Sequence, residues 1–254
     1  MPNQPKKCAI IGAGGIACYL APMLSKLTDI VLVDGDKYEP KNSTRQFPAL
    51  KSTGNKAQVL SDLLKETTVK DVKGIPSYLK GPEIVNEEGW EGVEMIFGAV
   101  DNNKSRYLIA QLADSFGIPA IIAGNGEWFG EAHLFLPEVY NPFDYFEFPD
   151  TDPTPWACNS DEALETSPQT AIANMMAAGA AMHIYLSLFK TGKPMNYIGH
   201  VRNEYNSGTV LRIKELVGRK SEKENEHSPN TDGREGDVTG TGDDHESMGA
   251  QKRG

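Results

Sequence analysis

The sequence predicts an α/β fold: a Rossmann-like, mainly parallel sheet with flanking helices, closing in antiparallel strands near the C-terminal end. Over residues 8–123, apolar runs of four to six residues alternate with segments of helical period, the pattern of strands joined by right-handed helical crossovers. The first run ends in a glycine-rich turn that opens a helix. After Trp128 the alternation gives way to strand-like segments, a long irregular stretch and one long small-residue helix.

Taken in order, Cys8–Ile11 reads as the first strand and Ile16–Leu27 as the first helix. Ile30–Val33 is a second strand ending at Asp34. Lys56–Leu64 places Ala57, Leu60, Leu63 and Leu64 on one helical face. Val69–Val72 is a weaker third strand and Met95–Val100 a buried one. Ser105–Phe116 is a helix with Leu108, Ile109 and Leu112 inward, followed by a strand over Ile118–Ala123. Glu131–Leu136 fits an antiparallel strand, and residues 137–160, rich in proline, aromatic and acidic residues, an irregular crossover loop. Pro168–Phe189 is a long helix whose Ala177–Ala181 core permits close packing, and Tyr197–Val201 with Thr209–Ile213 forms a closing hairpin. Residues 1–217 thus make one domain. Residues 218–254 read as a disordered polar tail: from 219 onward they hold six Lys/Arg and nine Asp/Glu with almost nothing to bury.

Composition narrows the function. The net charge of −10 argues against binding along a nucleic-acid backbone. Mean hydropathy of −0.43 suits a water-soluble body. Thr170–Phe189 has the length of a membrane span, but Asn174, His183, Ser187 and its alanine density point to a buried helix. The charged N-terminus before Cys8–Ala21 resembles a signal peptide only superficially, because glycines 12, 14 and 15 have a better use. The three cysteines, Cys8, Cys18 and Cys158, form no disulfide framework and suit a reducing cytoplasm. No CxxC pair exists, so no structural zinc is expected.

Gly12, Gly14 and Gly15 follow a strand and open a helix, where backbone N–H groups can cradle phosphate. Asp34 ends the next strand, 20 residues past Gly14, placed to take ribose hydroxyls. Then come Asp36, Asn42, Arg45, Gln46 and Lys56, with Asp101 beyond the carboxyl end of a buried strand. Arginine offers a fork and lysine a point charge, as a triphosphate needs. A carboxylate at that strand end can hold Mg²⁺ against phosphates. Asp36 also fits a turn or cap, Asp101 also fits the cap of the next helix, and Arg106 divides evenly between surface charge and site support.

This series, a glycine loop, D-x-D, N-x-x-R-Q, a G-x-K one residue shorter than usual and a strand-end D-N, resembles the ThiF/MoeB/HesA adenylyltransferases and the adenylation domains of ubiquitin-activating enzymes. The resemblance spans roughly residues 5–215. It implies that Asp34 binds ribose, that Asn42, Arg45 and Lys56 contact the ATP phosphates with Gln46 beside them, and that Asp101 positions Mg²⁺. It implies a small ubiquitin-like or sulfur-carrier protein as substrate, activated by adenylation of its C-terminal carboxylate, and a homodimer. Cys158 falls where relatives place a transfer cysteine, and an incidental cysteine fits equally well. Relatives also carry an N-terminal helix with an arginine that reaches the partner's ATP; here Met1–Lys7 precede the first strand and hold no arginine. A lysine substitutes, the γ-phosphate is held more weakly, or the chain is not catalytic. A non-catalytic ATP-binding partner and an NAD-dependent Rossmann oxidoreductase are therefore the competing readings.

Overall fold

A computed structural model describes residues 4–50, 52–139, 141–144, 170–190, 197–204 and 214–216. Their eight strands form one sheet: β1 (Lys7–Ile11), β2 (Asp29–Val33), β3 (Val72–Ile75), β4 (Met95–Gly98), β5 (Ala120–Asn125), β6 (Phe129–Phe135), β7 (Tyr197–Glu204) and β8 (Lys214–Leu216). The order is β3-β2-β1-β4-β5-β6-β7-β8. From β3 to β5 the pairing is parallel; β6, β7 and β8 pair antiparallel. The helices are α1 (Gly15–Leu24), α2 (Lys56–Lys65), α3 (Asn103–Phe116) and α4 (Ala171–Lys190). The expected α/β class and its antiparallel closing strands are both present.

Apolar runs place the central strands because both of their faces are covered. On one face Ile10, Leu20, Leu32, Leu60, Phe97 and Tyr185 pack beneath α1, α2 and α4. On the other, Ile11, Val33, Trp90, Ile96, Ile109 and Ile122 pack with α3 and the Pro82–Asn86 turn. Each such side chain contributes about 1.5–3 kcal/mol of transfer free energy on burial. The α4 helix is long and apolar enough to cross a membrane, but Ala173, Ala177, Ala178, Ala180 and Ala181 bury it against β5, β6, β7 and α1. Its backbone approaches β6 so closely that a methyl group on Gly130 would lie 2.1 Å from the Ala177 nitrogen.

The differences from expectation have local causes. The α1 helix stops at Leu24 rather than Leu27 because the bonds just beyond Ser25 tighten to the three-residue spacing, the Lys26 N–H donating to the Met23 carbonyl at 3.3 Å. The N–H groups of Leu27 and Thr28 then turn back to the Leu24 carbonyl at 2.9 and 3.1 Å. The third strand begins at Val72, where pairing with Ile30 starts, and Val69 is fully exposed. Asn102, not Asp101, caps α3: its side chain accepts from the Ser105 N–H at 2.8 Å. The partner of β7 is Lys214–Leu216; the expected Thr209–Ile213, most of the 137–160 loop and the tail lie outside the described residues.

Candidate active site

Strand order reverses between β1 and β4, and a crevice must open where their following loops diverge. Gly12 leaves β1 with φ of +93°, a left-handed conformation, and a Cβ there would meet the Ala99 carbonyl oxygen at 2.5 Å. Only glycine fits. Three residues later, at Gly15, α1 begins, with no side chain capping it, so its first N–H groups face the crevice.

Asp34 ties this loop to the next. Its Oδ2 accepts from the Ala13 N–H at 2.7 Å and its Oδ1 from the Asp36 N–H at 2.8 Å. Burial pushes the Asp34 carboxyl above its ordinary value, opposed by Lys56 and those two donors. Asn55 organises the start of α2: its Nδ2 donates to the Asp34 and Asp36 carbonyls at 2.8 and 3.0 Å, and its Oδ1 accepts from the Gln58 N–H. That places Lys56, which is buried, with Nζ 3.1 Å from Asp36 Oδ2. The Tyr78 hydroxyl donates to Asp36 Oδ1 at 2.6 Å. Asp36 is therefore the counter-ion that aims Lys56, beyond the turn or cap role its sequence position allowed.

The Pro40–Thr44 turn holds the next group. Asn42 Oδ1 accepts from the Glu39 N–H at 2.9 Å, and the Asn42 carbonyl accepts from the N–H groups of Arg45 and Gln46 at 3.1 and 2.8 Å. Arg45 Nε and Gln46 Oε1 are withdrawn from water yet meet no partner among the described residues. Orphaned polar atoms of this kind are rare, and a bound ligand is one way to complete them. Asp101, beyond β4, is exposed and has no ion pair among the described residues; its carboxylate oxygens suit a hard cation.

One cleft of about 390 Å³ gathers these groups: Gly12, Gly14, Gly15, Asp34, Asp36, Asn42, Arg45, Gln46, Lys56 and Asp101 all line it. Paired cations, uncapped helix N–H groups and a carboxylate without an ion pair among the described residues fit a nucleoside triphosphate with its metal.

The ThiF family model matches residues 4–230. The chain belongs to the ThiF family. Solved structures agree in fold: PaaA superposes with a TM-score of 0.61 at 18% identity, covering 85% of this chain and 65% of that one. E. coli MccB with ATP gives 0.62 at 18% identity, covering 85% and 65%. The microcin C7 biosynthetic enzyme MccB in complex with N-formylated MccA gives 0.64 at 16% identity, covering 86% and 67%. The chain thus spans about two thirds of the length of these neighbours, just under it for PaaA and for MccB with ATP.

In this ThiF-family chain, Cys158 lies outside the described residues. Cys8 and Cys18 are buried, which pushes both thiols up to about 12 and leaves them inert as nucleophiles. Arg106 does not line the cleft; it donates to Asn103 Oδ1 at 2.7 Å and braces the Val100 carbonyl at 3.5 Å. Sequence reasoning missed Ser77, Tyr78 and Lys80, which enter the cleft from the segment after β3, and Asn125 and Asn174 at its other end. Only Asn174 left a trace, as a polar break in an apolar helix.

A second polar group sits on the β6–β7 face. Cross-strand pairing sets Glu131 opposite Arg202 and His133 opposite His200. Glu131 lies 3.3 Å from both His200 Nε2 and Arg202 Nη1, and 3.7 Å from His133 Nε2. Burial raises the Glu131 carboxyl, but the two imidazoles and the guanidinium outweigh it and hold it well below the usual range. The three ligand atoms are close enough for one metal ion. However, the imidazole rings stack 4.3 Å apart at 7°, so their in-plane lone pairs run side by side instead of converging, and Arg202 already occupies the carboxylate.

Proposed function

We propose that this chain activates a carboxyl group with ATP. A C-terminal carboxylate attacks the α-phosphorus, the bond to the bridging oxygen breaks, and pyrophosphate leaves an acyl-adenylate. The observation that carries this reading is one cleft holding the buried Lys56 with Arg45 Nε, unpartnered among the described residues, and the Asp101 carboxylate, without an ion pair among them. A dinucleotide oxidoreductase has no use for that set. Asp34 would take the ribose, while Asn42, Arg45 and Lys56 would hold the phosphates beside Gln46. Asp101 would hold Mg²⁺, which when bound offsets phosphate charge. The residues' own work is positioning and charge stabilisation.

The substrate proposed is a small ubiquitin-like or sulfur-carrier protein. The likeness to MccB, solved with N-formylated MccA, favours including an N-formylated peptide among the substrates tested. ATP–pyrophosphate exchange with Mg²⁺ and each candidate is the test; substrate-dependent exchange is expected. ATP binding without exchange from any of them favours a non-catalytic partner, and NADH binding without ATP binding favours the oxidoreductase. Transfer to Cys158 predicts a reductant-sensitive adduct on non-reducing gels that Cys158→Ser lacks. A cytoplasmic homodimer completes the proposal, supported by the half-exposed Ile172 and Met175 on α4; a monomer by light scattering at micromolar concentration ends that part.

A further inference from the structure

The seam between the parallel and antiparallel halves brings two amides together at one end of the cleft. Asn125 is the last residue of β5, and Asn174 lies in the first turn of α4. Asn125 Nδ2 donates to Asn174 Oδ1 at 3.0 Å. Asn174 is 1% exposed, yet its Nδ2 meets no acceptor among the described residues. That nitrogen faces the start of α1: a methyl group on Gly15 would lie 2.3 Å from it. Both amides line the cleft. A buried N–H without an acceptor costs about 1–3 kcal/mol, and a ligand oxygen in the cleft would relieve it.

The two ends of the cleft differ in charge. Asp36, Arg45 and Lys56 line the end formed after β2, where phosphate charge is best held. Asn125 and Asn174 belong to β5 and α4, on the other side of the glycine loop, and carry no charge. A neutral donor is the right group for the oxygen of a carboxylate that loses its charge during adenylation. One carboxylate oxygen forms the bond to phosphorus; the other becomes the acyl carbonyl and still needs a donor.

We propose that the Asn125–Asn174 pair is the acyl end of the site, with Asn174 Nδ2 donating to the non-attacking oxygen of the substrate's C-terminal carboxyl and then to the carbonyl of the acyl-adenylate. Asn125 is the positioning residue that holds the Asn174 amide in this orientation. The assignment rests on the adenylation reading above.

Two non-reacting probes separate the acyl end from the nucleotide end: 5′-O-(glycylsulfamoyl)adenosine, which carries the acyl carbonyl, and 5′-O-sulfamoyladenosine, which lacks it. Calorimetry on the full chain should show tighter binding of the acylated probe. Asn174→Ala should weaken that probe about five- to tenfold, the scale of one lost hydrogen bond, and change the unacylated probe and ATP less than twofold. Asn174→Asp keeps the size and the bond from Asn125 but replaces the donor with an acceptor, and should weaken the acylated probe at least as much. Equal losses for both probes would assign Asn174 to the nucleotide or to folding and overturn the proposal. So would full affinity in Asn174→Asp, which would make the side chain an acceptor capping α1. Equal wild-type affinity for the two probes would overturn it as well. Wild-type protein that binds neither probe nor ATP defeats the adenylation reading itself.

Discussion

The two halves of the sheet place their polar groups in opposite ways. In the parallel half, Asp34, Asp36, Lys56 and Asp101 stand beyond strand ends; the central strands are covered on both faces, and the charges the strands do hold are Lys7 and Asp29 at their starts and Lys73 on the edge strand β3. In the antiparallel half, Glu131, His133, His200 and Arg202 sit within strands, since α4 covers only one face of β6 and β7. The first arrangement lines a cleft, where the neighbouring Arg45 Nε and Gln46 Oε1 stay unsatisfied among the described residues. The second gathers round one carboxylate, with Glu131 within 4 Å of both imidazoles and the guanidinium. Polar groups beyond the strand ends thus line the cleft, and those on the strand face converge on Glu131.

The largest effect that could break this division is on the glycine loop. Gly12→Ala meets both a left-handed φ and a backbone clash with Ala99, and should cost roughly 3–5 kcal/mol of stability with loss of ATP binding. Denaturant unfolding measures it; near-wild-type stability would mean that the loop is not the keystone of the parallel half. Arg45→Ala comes next. It should leave unfolding unchanged within ~0.5 kcal/mol and slow pyrophosphate exchange by about 2–4 kcal/mol of transition-state stabilisation. Unaltered exchange would remove Arg45 from the chemistry.

These predictions rest on the part of the molecule that was legible in the sequence. Gly12, Asp34, Asn42, Arg45 and Lys56 belong to local patterns, each close in sequence to the strand or helix end that positions it. Asn55 was visible only as part of a spacing; its three hydrogen bonds appear once Asp34 and Asp36 are folded against α2. Tyr78 and the Asn125–Asn174 pair depend on elements 42 and 49 residues from their partners, and no periodicity encodes such meetings. The β6–β7 cluster was invisible for the same reason: alternation says that Glu131 and His133 share a face, but only register puts His200 and Arg202 opposite them.

Acid should act on the antiparallel half first. Burial lowers the affinity of folded His133 for a proton below the ordinary 6.5, so the unfolded chain binds more protons and stability falls as pH drops through that value. Glu131 is held below its ordinary 4.5, so its contribution is complete above that value and is lost as pH falls further toward its folded pKa. Arg202 and His200 face the same carboxylate, and the Arg106 charge also opposes protonation of His133. Glu131→Gln should cost about 1–3 kcal/mol at pH 8 and flatten the part of the acid limb below 4.5. A mutant curve parallel to wild type throughout would exclude Glu131 as its source.

The smallest effect is the most informative about whether the halves are energetically separate. The Arg202 guanidinium carbon lies 3.7 Å from the centre of the Phe129 ring, and its Nε donates to Glu204 at 2.6 Å. Phe129 and Glu204 are themselves a cross-strand pair, so this ring closes the β6–β7 ladder at its end nearest the cleft-lining Asn125. Phe129→Leu keeps apolar bulk and removes the π face, and should cost about 0.5–1 kcal/mol. Because Phe129 contributes no atom to the cleft, ATP affinity should stay within twofold of wild type. If affinity instead falls several-fold while unfolding shifts by less than ~1 kcal/mol, the strain has reached Asn125 through the turn at Gly126, whose N–H donates to the Phe129 carbonyl at 3.0 Å. The antiparallel half would then set the geometry of the nucleotide site as well as cover the sheet.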